Sequence, residues 1–306
     1  MAVWRFALAL LLPFLAATAA VGAEDCTLKQ AASVPMEIGA GDLPTITVQM
    51  NGVDKPLLID TGAFLSFVSS RTVQELGLKQ AKKYVAIRTA TGEGVVPGYR
   101  VDTLQLGQLL GKNNLFFLAP EGLLPRRDAG SFGNDFLRAW DVEFDFTQNR
   151  FNLFSPDHCK GAVVYWTKQT YTELPFKLTS STHLRVQAIV DGHKLKALID
   201  TGTTVTTINL RRARKIFGWK TDPPELKPLP APSYMRWRNP APNAFVYPFQ
   251  SLSLEGIEVH NPFVAVMADI ETGDEDMVIG MSMLQKLHMY VAYRERVIYI
   301  TPVDAR

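Results

Sequence analysis

Apolar and polar residues alternate in short runs along this chain, and each run ends in turn residues, a pattern typical of β-strands and hairpins. The residues from Thr45 to Met50 alternate, Asn51-Gly52 signals a hairpin, and Pro56-Leu57-Leu58-Ile59 forms an apolar return strand. The same order recurs between residues 184 and 199. The sequence therefore predicts an all-β protein. Short helices are expected around residues 70–76, 135–140, 211–217 and 282–287.

Each return strand runs directly into the same motif. The motif reads Leu58-Ile59-Asp60-Thr61-Gly62 in the first half and Leu198-Ile199-Asp200-Thr201-Gly202 in the second half. Two apolar residues that lead into a carboxylate predict a buried strand whose following turn holds the acid. An acid at such a place is costly unless it is hydrogen-bonded or used chemically.

A second pair of matched segments follows the two acids. Phe132-Gly133-Asn134-Asp135-Phe136-Leu137 corresponds to Ile279-Gly280-Met281-Ser282-Met283-Leu284, and a pair of short strands is expected after each segment. The chain is therefore a duplicated unit, which predicts two similar lobes related by a pseudo-two-fold axis. Such an axis would bring Asp60 and Asp200 together in the cleft between the lobes.

The two halves differ most in the interval between the acid and the second matched segment. In the first half, residues 84–100 contain the turn Thr91-Gly92-Glu93-Gly94 between β-like arms, which predicts a flap-like hairpin. In the second half, residues 223–242 are rich in proline, which lacks the N–H donor that a hairpin ladder needs. We expect a stiffer loop there. Its role stays open between a disordered surface excursion and a wall of the cleft.

The first 23 residues have the layout of a secretory signal peptide. Arg5 precedes an apolar run from Phe6 to Ala20, and the small residues Val21-Gly22-Ala23 suit a cleavage site. The alternative is an uncleaved membrane anchor, although the run is shorter than the roughly 20 residues that a spanning helix needs. We predict an exported protein, periplasmic or extracellular, without stable membrane association once the leader is removed.

The mature chain would be nearly neutral. The leader holds one of the 32 Lys and Arg residues, which leaves a net charge of +1 against 30 Asp and Glu residues. This balance argues against nucleic acid or an anionic membrane as the main partner. The basic run Arg211-Arg212-Ala213-Arg214-Lys215 is interpreted as the solvated face of a helix.

The chain has two cysteines, Cys26 and Cys159. A single pair in an exported protein predicts a disulfide, here between the N-terminal segment and the interlobe connection. The five scattered histidines show no spacing typical of metal ligands, so no metal is expected. A nucleophilic Cys159 next to His158 is disfavoured, because sequence neighbours point apart on an extended segment.

The paired apolar-apolar-Asp-Thr-Gly motifs, each followed by an apolar-Gly segment, resemble the aspartic proteases. The Gly-x-Asp-Phe-Leu form at Gly133 resembles the retropepsin-like branch found in bacteria. The resemblance covers residues 43–300 and implies the duplicated two-lobe acid protease fold with a cleft between the lobes. The predicted parts are a leader at 1–23, a first lobe at 24–155, a connection at 156–172 and a second lobe at 173–306.

The resemblance also implies roles for the residues of the two motifs. Asp60 and Asp200 would be the catalytic pair, which shares a proton and activates a water molecule for attack on a peptide bond. No cofactor is needed for this chemistry. The supporting residues would make hydroxyl contacts beneath the pair or keep its carboxylates coplanar. They are Thr61, Gly62, Thr201, Gly202 and Thr203. Ala63 stands where pepsins place a hydroxyl residue, so we expect the shared proton to reside on Asp60.

We predict an aspartic endopeptidase that is a monomer and acts on peptide or protein substrates. The main alternative is a catalytically idle peptide-binding or scaffolding protein on the same fold. A retropepsin-like subunit that needs a second copy for activity is disfavoured, because the chain already carries both acids.

Overall fold

The computed structural model describes residues 26–38, 43–89, 92–229, 243–268 and 274–303. The predicted leader lies outside these ranges. The first repeat contains β1 (Gln30–Ile38), β2 (Pro44–Met50), β3 (Val53–Ile59), β4 (Phe67–Val68), α1 (Ser70–Glu75), β5 (Lys79–Thr89), β6 (Gly92–Leu106), β7 (Leu109–Leu118), β8 (Gly130–Phe132), α2 (Asn134–Leu137), β9 (Asp141–Asp145) and β10 (Arg150–Phe154).

The second repeat contains β11 (Thr172–Pro175), β12 (Lys177–Leu178), β13 (Leu184–Val190), β14 (His193–Ile199), β15 (Thr207–Asn209), α3 (Leu210–Ile216), β16 (Lys227–Pro228), β17 (Ala244–Val246), β18 (Ser251–Leu254), β19 (Ile257–His260), β20 (Ala265–Met267), β21 (Met277–Ile279), α4 (Met281–Leu284), β22 (Leu287–Ala292) and β23 (Val297–Pro302). It keeps the order of the first repeat around its acid, but its described residues form five strands between α3 and β21, where the first repeat has three between α1 and β8. The protein is therefore mostly β and consists of two duplicated lobes, as the sequence predicts.

A six-stranded antiparallel sheet joins the two lobes. Its order is β1-β10-β9-β22-β23-β11, so each lobe contributes three strands and the pseudo-two-fold axis passes between β9 and β22. Along β9, Val142 and Phe144 face the hydrophobic core, whereas Asp141, Glu143 and Asp145 face the other side. The segment after β10 covers that other side.

The two lobes repeat one arrangement around each acid. In the first lobe β3 pairs in parallel with β8, and β8 also pairs with β4. In the second lobe β14 pairs in parallel with β21, and β21 also pairs with β15. The matched second segments of the sequence thus lie directly beside the strands that end in Asp60 and Asp200.

The predicted flap hairpin is present. Strands β5 and β6 pair antiparallel up to Thr89 and Gly92, while Thr91 lies outside the described residues. Glu93 is ion-paired with Arg88, and Gly94 continues β6. The inner face of the hairpin packs with the segment that follows the first acid; the contacting residues include Val85, Ile87, Val96, Phe64 and Leu65.

Two details of the predicted secondary structure were wrong. Strands β16 and β17 pair at the base of the proline-rich interval, with Pro228 opposite Phe245. The pairing is tolerated because β16 is an edge strand. The missing N–H of proline at an edge does not remove a hydrogen bond between two inner strands. Residues 230–242 of that interval lie outside the described ranges. Helices α2 and α4 also end earlier than predicted, at Leu137 and Leu284, and short turns connect them to β9 and β22.

The predicted disulfide between Cys26 and Cys159 is present, with a Cα–Cα distance of 4.7 Å. It ties the first described residues to the segment that covers the interlobe sheet. None of the helices among the described residues is long and apolar enough to cross a membrane.

A buried acid in the first lobe gives a prediction for stability. Asp128 is 2 % exposed, its Oδ1 accepts no hydrogen bond within the described residues, and burial raises its pKa to about 6. Ionisation of Asp128 therefore destabilises the folded state once the pH rises above the ordinary pKa of 3.8. We expect Asp128→Asn to raise the free energy of unfolding by about 2 to 3 kcal/mol at pH 8.

Most of the gain should be lost near pH 3.5, where Asp128 is protonated in the folded chain and mostly protonated in the unfolded chain. Urea unfolding of both proteins at the two pH values measures it. Asp102→Asn, a change at an exposed residue of β6, is the control. An equal gain at pH 3.5 and pH 8 would show that the ionisation of Asp128 is not the cause.

Candidate active site

The backbone around each acid is fixed by the neighbouring parallel strand. The Asp60 N–H donates to the carbonyl of Phe132 at 3.0 Å, and the Asp200 N–H donates to the carbonyl of Ile279 at 3.0 Å. Both acids therefore begin a turn at the end of a buried strand, as the apolar residues before them predict.

Two buried threonines lock the two turns to each other. The Thr61 hydroxyl donates to the carbonyl of Ile199 at 2.8 Å, and the Thr201 hydroxyl donates to the carbonyl of Ile59 at 2.7 Å. Each threonine N–H also donates to the hydroxyl of the other, at 3.1 Å for Thr61 and 3.0 Å for Thr201. These four bonds cross the lobe boundary and hold the two acids in a fixed relation.

The carboxyl groups of Asp60 and Asp200 lie against each other across this boundary. The Gly62 N–H donates to Oδ1 of Asp60 at 2.9 Å, and the Gly202 N–H donates to Oδ1 of Asp200 at 2.8 Å. A Cβ on Gly62 would overlap the carboxyl group of Asp200, and one on Gly202 would overlap that of Asp60. Glycine is therefore required at both positions by close approach of the opposite acid.

The environments of the two acids are unequal. Burial and the charge of Asp200 hold the pKa of Asp60 well above its ordinary value. Burial also raises the pKa of Asp200, but hydrogen bonds from Thr203 and Gly202 and the charge of His183 oppose that rise. The Thr203 hydroxyl donates to Oδ2 of Asp200 at 2.8 Å, whereas Ala63 has no hydroxyl to offer Asp60. A proton shared by the pair is thus most stable on Asp60.

Restoring the missing hydroxyl should lower the pH at which the pair loses its proton. A serine at position 63 would donate to the ionised form of Asp60 and lower its pKa, and such a bond is worth roughly 1.5 to 3 kcal/mol. We therefore expect the alkaline limb of the activity profile to move down by about one pH unit or more in Ala63→Ser. The measurement is peptide cleavage between pH 3 and pH 9. An alkaline limb that stays or moves upward would contradict this interpretation.

Sequence analysis missed two residues beside the pair. Asn134 is fully buried and donates to the carbonyls of Thr61 at 2.7 Å and Ala63 at 3.1 Å. His183 lies near Asp200. Both could have been noticed as breaks in the repeat, because the matching positions of the other lobe hold Met281 and Leu43.

The described residues contain no group of three side chains suited to a metal ion. A cavity of about 340 Å³ lies on the interlobe sheet among residues such as Arg150, Trp166 and His288, and neither acid lines it. The candidate active site is therefore the pair of carboxyl groups of Asp60 and Asp200, and the cavity is separate from it.

Comparisons with known proteins agree with this geometry. A family model described as "Aspartyl protease" matches residues 46–136, which include Asp60. A second model, described as "gag-polyprotein putative aspartyl protease", matches residues 186–286, which include Asp200. The chain belongs to the aspartic protease family. It is an aspartic-type peptidase, and the substrates of this class are peptides or proteins.

The fold of this aspartic protease is similar to that of a solved relative. The aspartic proteinase from Irpex lacteus, known from a crystal structure, shares 14 % sequence identity with this chain, and the two structures superpose with a TM-score of 0.53. The match covers 90 % of this chain and 98 % of that chain. No curated protein matches the sequence. At this identity the structural likeness concerns the fold of both lobes.

Proposed function

We propose that this aspartic protease is an exported, monomeric endopeptidase in which Asp60 and Asp200 are the catalytic pair. The observation that carries the proposal is the contact of the two carboxyl groups, each held by a glycine N–H and each lying over the glycine of the other lobe. Two carboxylates this close cannot both ionise cheaply, so they hold one proton between them.

The unequal environments assign different roles to the two acids. Ionised Asp200 takes a proton from a water molecule, whose oxygen forms a bond to the carbonyl carbon of the substrate. Protonated Asp60 gives its proton to the carbonyl oxygen, which produces a tetrahedral diol. The proton on Asp200 then passes to the leaving nitrogen as the C–N bond breaks, and one diol hydroxyl returns a proton to Asp60.

The surrounding elements suit this reaction. Thr61, Thr201 and Thr203 support the pair from below and from one side through the bonds described above. The β5–β6 hairpin would close over the substrate as a flap. We place the lobes at residues 24–155 and 173–306, with the connection at 156–172 between them. The disulfide supports an oxidising compartment outside the cytosol.

The test is cleavage of casein and of peptides between pH 3 and pH 8, with and without pepstatin, a general inhibitor of aspartic proteases. We expect internal cleavage, identified by mass spectrometry of the products, and inhibition by pepstatin. A purified, folded protein that binds peptides and leaves them intact over the whole range would support the idle binding protein instead.

A further inference from the structure

His183 comes directly before β13, and Asp200 comes directly after β14. Arg185 lies opposite Leu198 in this antiparallel pair, and the same register continued by two residues sets His183 opposite Asp200. The two residues are close enough to affect each other's ionisation, since protonated His183 lowers the pKa of Asp200. His183 therefore lies close to Asp200 on the second-lobe side of the pair.

The imidazole of His183 has an unused hydrogen-bonding group. Its Nε2 is buried and has no hydrogen-bond partner among the residues that the structure describes. A buried polar atom without a partner is costly, and it is usually satisfied by water or by a ligand. Burial also lowers the pKa of His183 below its ordinary value of 6.5, so the ring is neutral at neutral pH.

The charged groups around His183 are already engaged. Glu275 is buried and accepts two hydrogen bonds from Arg185, one of them from Nε at 2.6 Å. The Asp200 carboxylate is held by Gly202 and Thr203. Each of the two acids near His183 thus has its own donors. Neither acid accepts a hydrogen bond from the Nε2 of His183.

The matching place in the first lobe is apolar. Thr45 lies opposite Leu58, so the same register places Leu43 opposite Asp60. Leu43 is 9 % exposed and belongs to the hydrophobic core. The residue next to the acid therefore differs between the lobes, with a histidine near Asp200 and a core leucine near Asp60.

We propose that His183 is a specificity-determining residue, whose Nε2 hydrogen-bonds a polar uncharged side chain of the substrate in the half of the cleft next to Asp200. This inference rests on the proposed endopeptidase function. A neutral amide such as that of glutamine fits best, because it can donate to or accept from either tautomer of the imidazole. An acidic side chain would meet the charge of Asp200.

The experiment compares peptides that differ by one residue, glutamine or leucine, at each of the four positions before and after the scissile bond. For the wild-type protein we expect glutamine to be preferred by up to about tenfold in kcat/KM at one position, the range of a neutral hydrogen bond. His183→Leu, which copies the first lobe, should bring the ratio of kcat/KM for the glutamine and leucine peptides to about one, whatever its effect on the absolute rate. His183→Gln should retain part of the preference.

His260→Leu is the matched control, since His260 is an exposed histidine of the same lobe with its side chain 76 % exposed. It should leave the preference unchanged. A glutamine preference that persists in His183→Leu would overturn the proposal. So would a parallel loss of cleavage for both kinds of peptide in a His183→Leu protein that unfolds at the wild-type temperature.

Binding of the same peptides to Asp60→Asn, measured by calorimetry, separates this inference from the proposed function. It needs no turnover, and His183→Leu in that background should weaken binding of the preferred glutamine peptide alone. Absence of cleavage by the wild-type protein together with this selective binding would overturn the endopeptidase proposal and support the contact. Equal binding of both peptides would overturn the contact.

Discussion

Asp60→Asn and Asp200→Asn are each expected to lower kcat/KM for peptide cleavage by about a thousandfold or more. Asparagine keeps the shape of the side chain, but it can neither hold the shared proton nor take one from water. The two acids act as a unit, so either replacement removes the general acid and base together. The measurement is initial rates on one peptide substrate over the full pH range, because a shifted optimum must not be mistaken for lost activity.

The fold should survive both replacements. The pKa of each acid is raised in the folded protein, so its ionisation opposes folding above the ordinary pKa of 3.8. Both variants should therefore be at least as stable as the wild type at neutral pH in urea unfolding. Asp54→Asn, at an exposed position of the strand that leads to Asp60, should keep full activity. Near-normal turnover by either Asp60→Asn or Asp200→Asn would refute the assignment of the pair.

Glu143→Ala is expected to lower the free energy of unfolding by about 3 to 5 kcal/mol. Glu143 is fully buried on the outer side of the interlobe sheet. It accepts hydrogen bonds from the Tyr165 hydroxyl at 2.7 Å, from the His288 Nε2 at 2.8 Å and from Asn152. Alanine would leave the buried donors of Asn152 and His288 without this acceptor, would remove the partner of the Tyr165 hydroxyl, and would open a cavity beside them.

Urea unfolding at pH 7 measures this effect. Glu143→Gln keeps an oxygen that accepts one of these bonds, so its loss should be smaller. Glu173→Ala, at an exposed position of β11 in the same sheet, should change the free energy of unfolding by less than about 0.5 kcal/mol. Because His288 belongs to the second repeat and Glu143 to the first, a small effect of Glu143→Ala would mean that this network contributes little to joining the lobes.

Glu143 also illustrates a limit of sequence interpretation. Its strand alternates apolar and acidic residues, which is typical of a sheet with one face in water. In the structure the segment after β10 covers that face: His158 contacts Asp141 at 2.6 Å, Tyr165 contacts Glu143, and Trp166 stacks on His288. Which side chains this segment covers depends on contacts between distant parts of the chain, and no local pattern reports them.

The sequence by itself determined the β class, the duplication, the two acid motifs and the hairpin after the first acid. These follow from local periodicity and from comparison of the two halves, and both are properties of covalent order. It also indicated that Ala63 and Thr203 make the two acids unequal, because a hydroxyl is either present or absent in the sequence.

Only the tertiary structure decided how these parts meet. The contact of Asp60 with Asp200 depends on threonine bonds between residues 140 positions apart. Pro228 is tolerated in a strand because β16 lies at a sheet edge. The proximity of His183 to Asp200 follows from the register of β13 and β14. Burial, register and hydrogen-bond partners are set by packing between distant parts of the chain. Local patterns in a single sequence do not show which distant residues will meet.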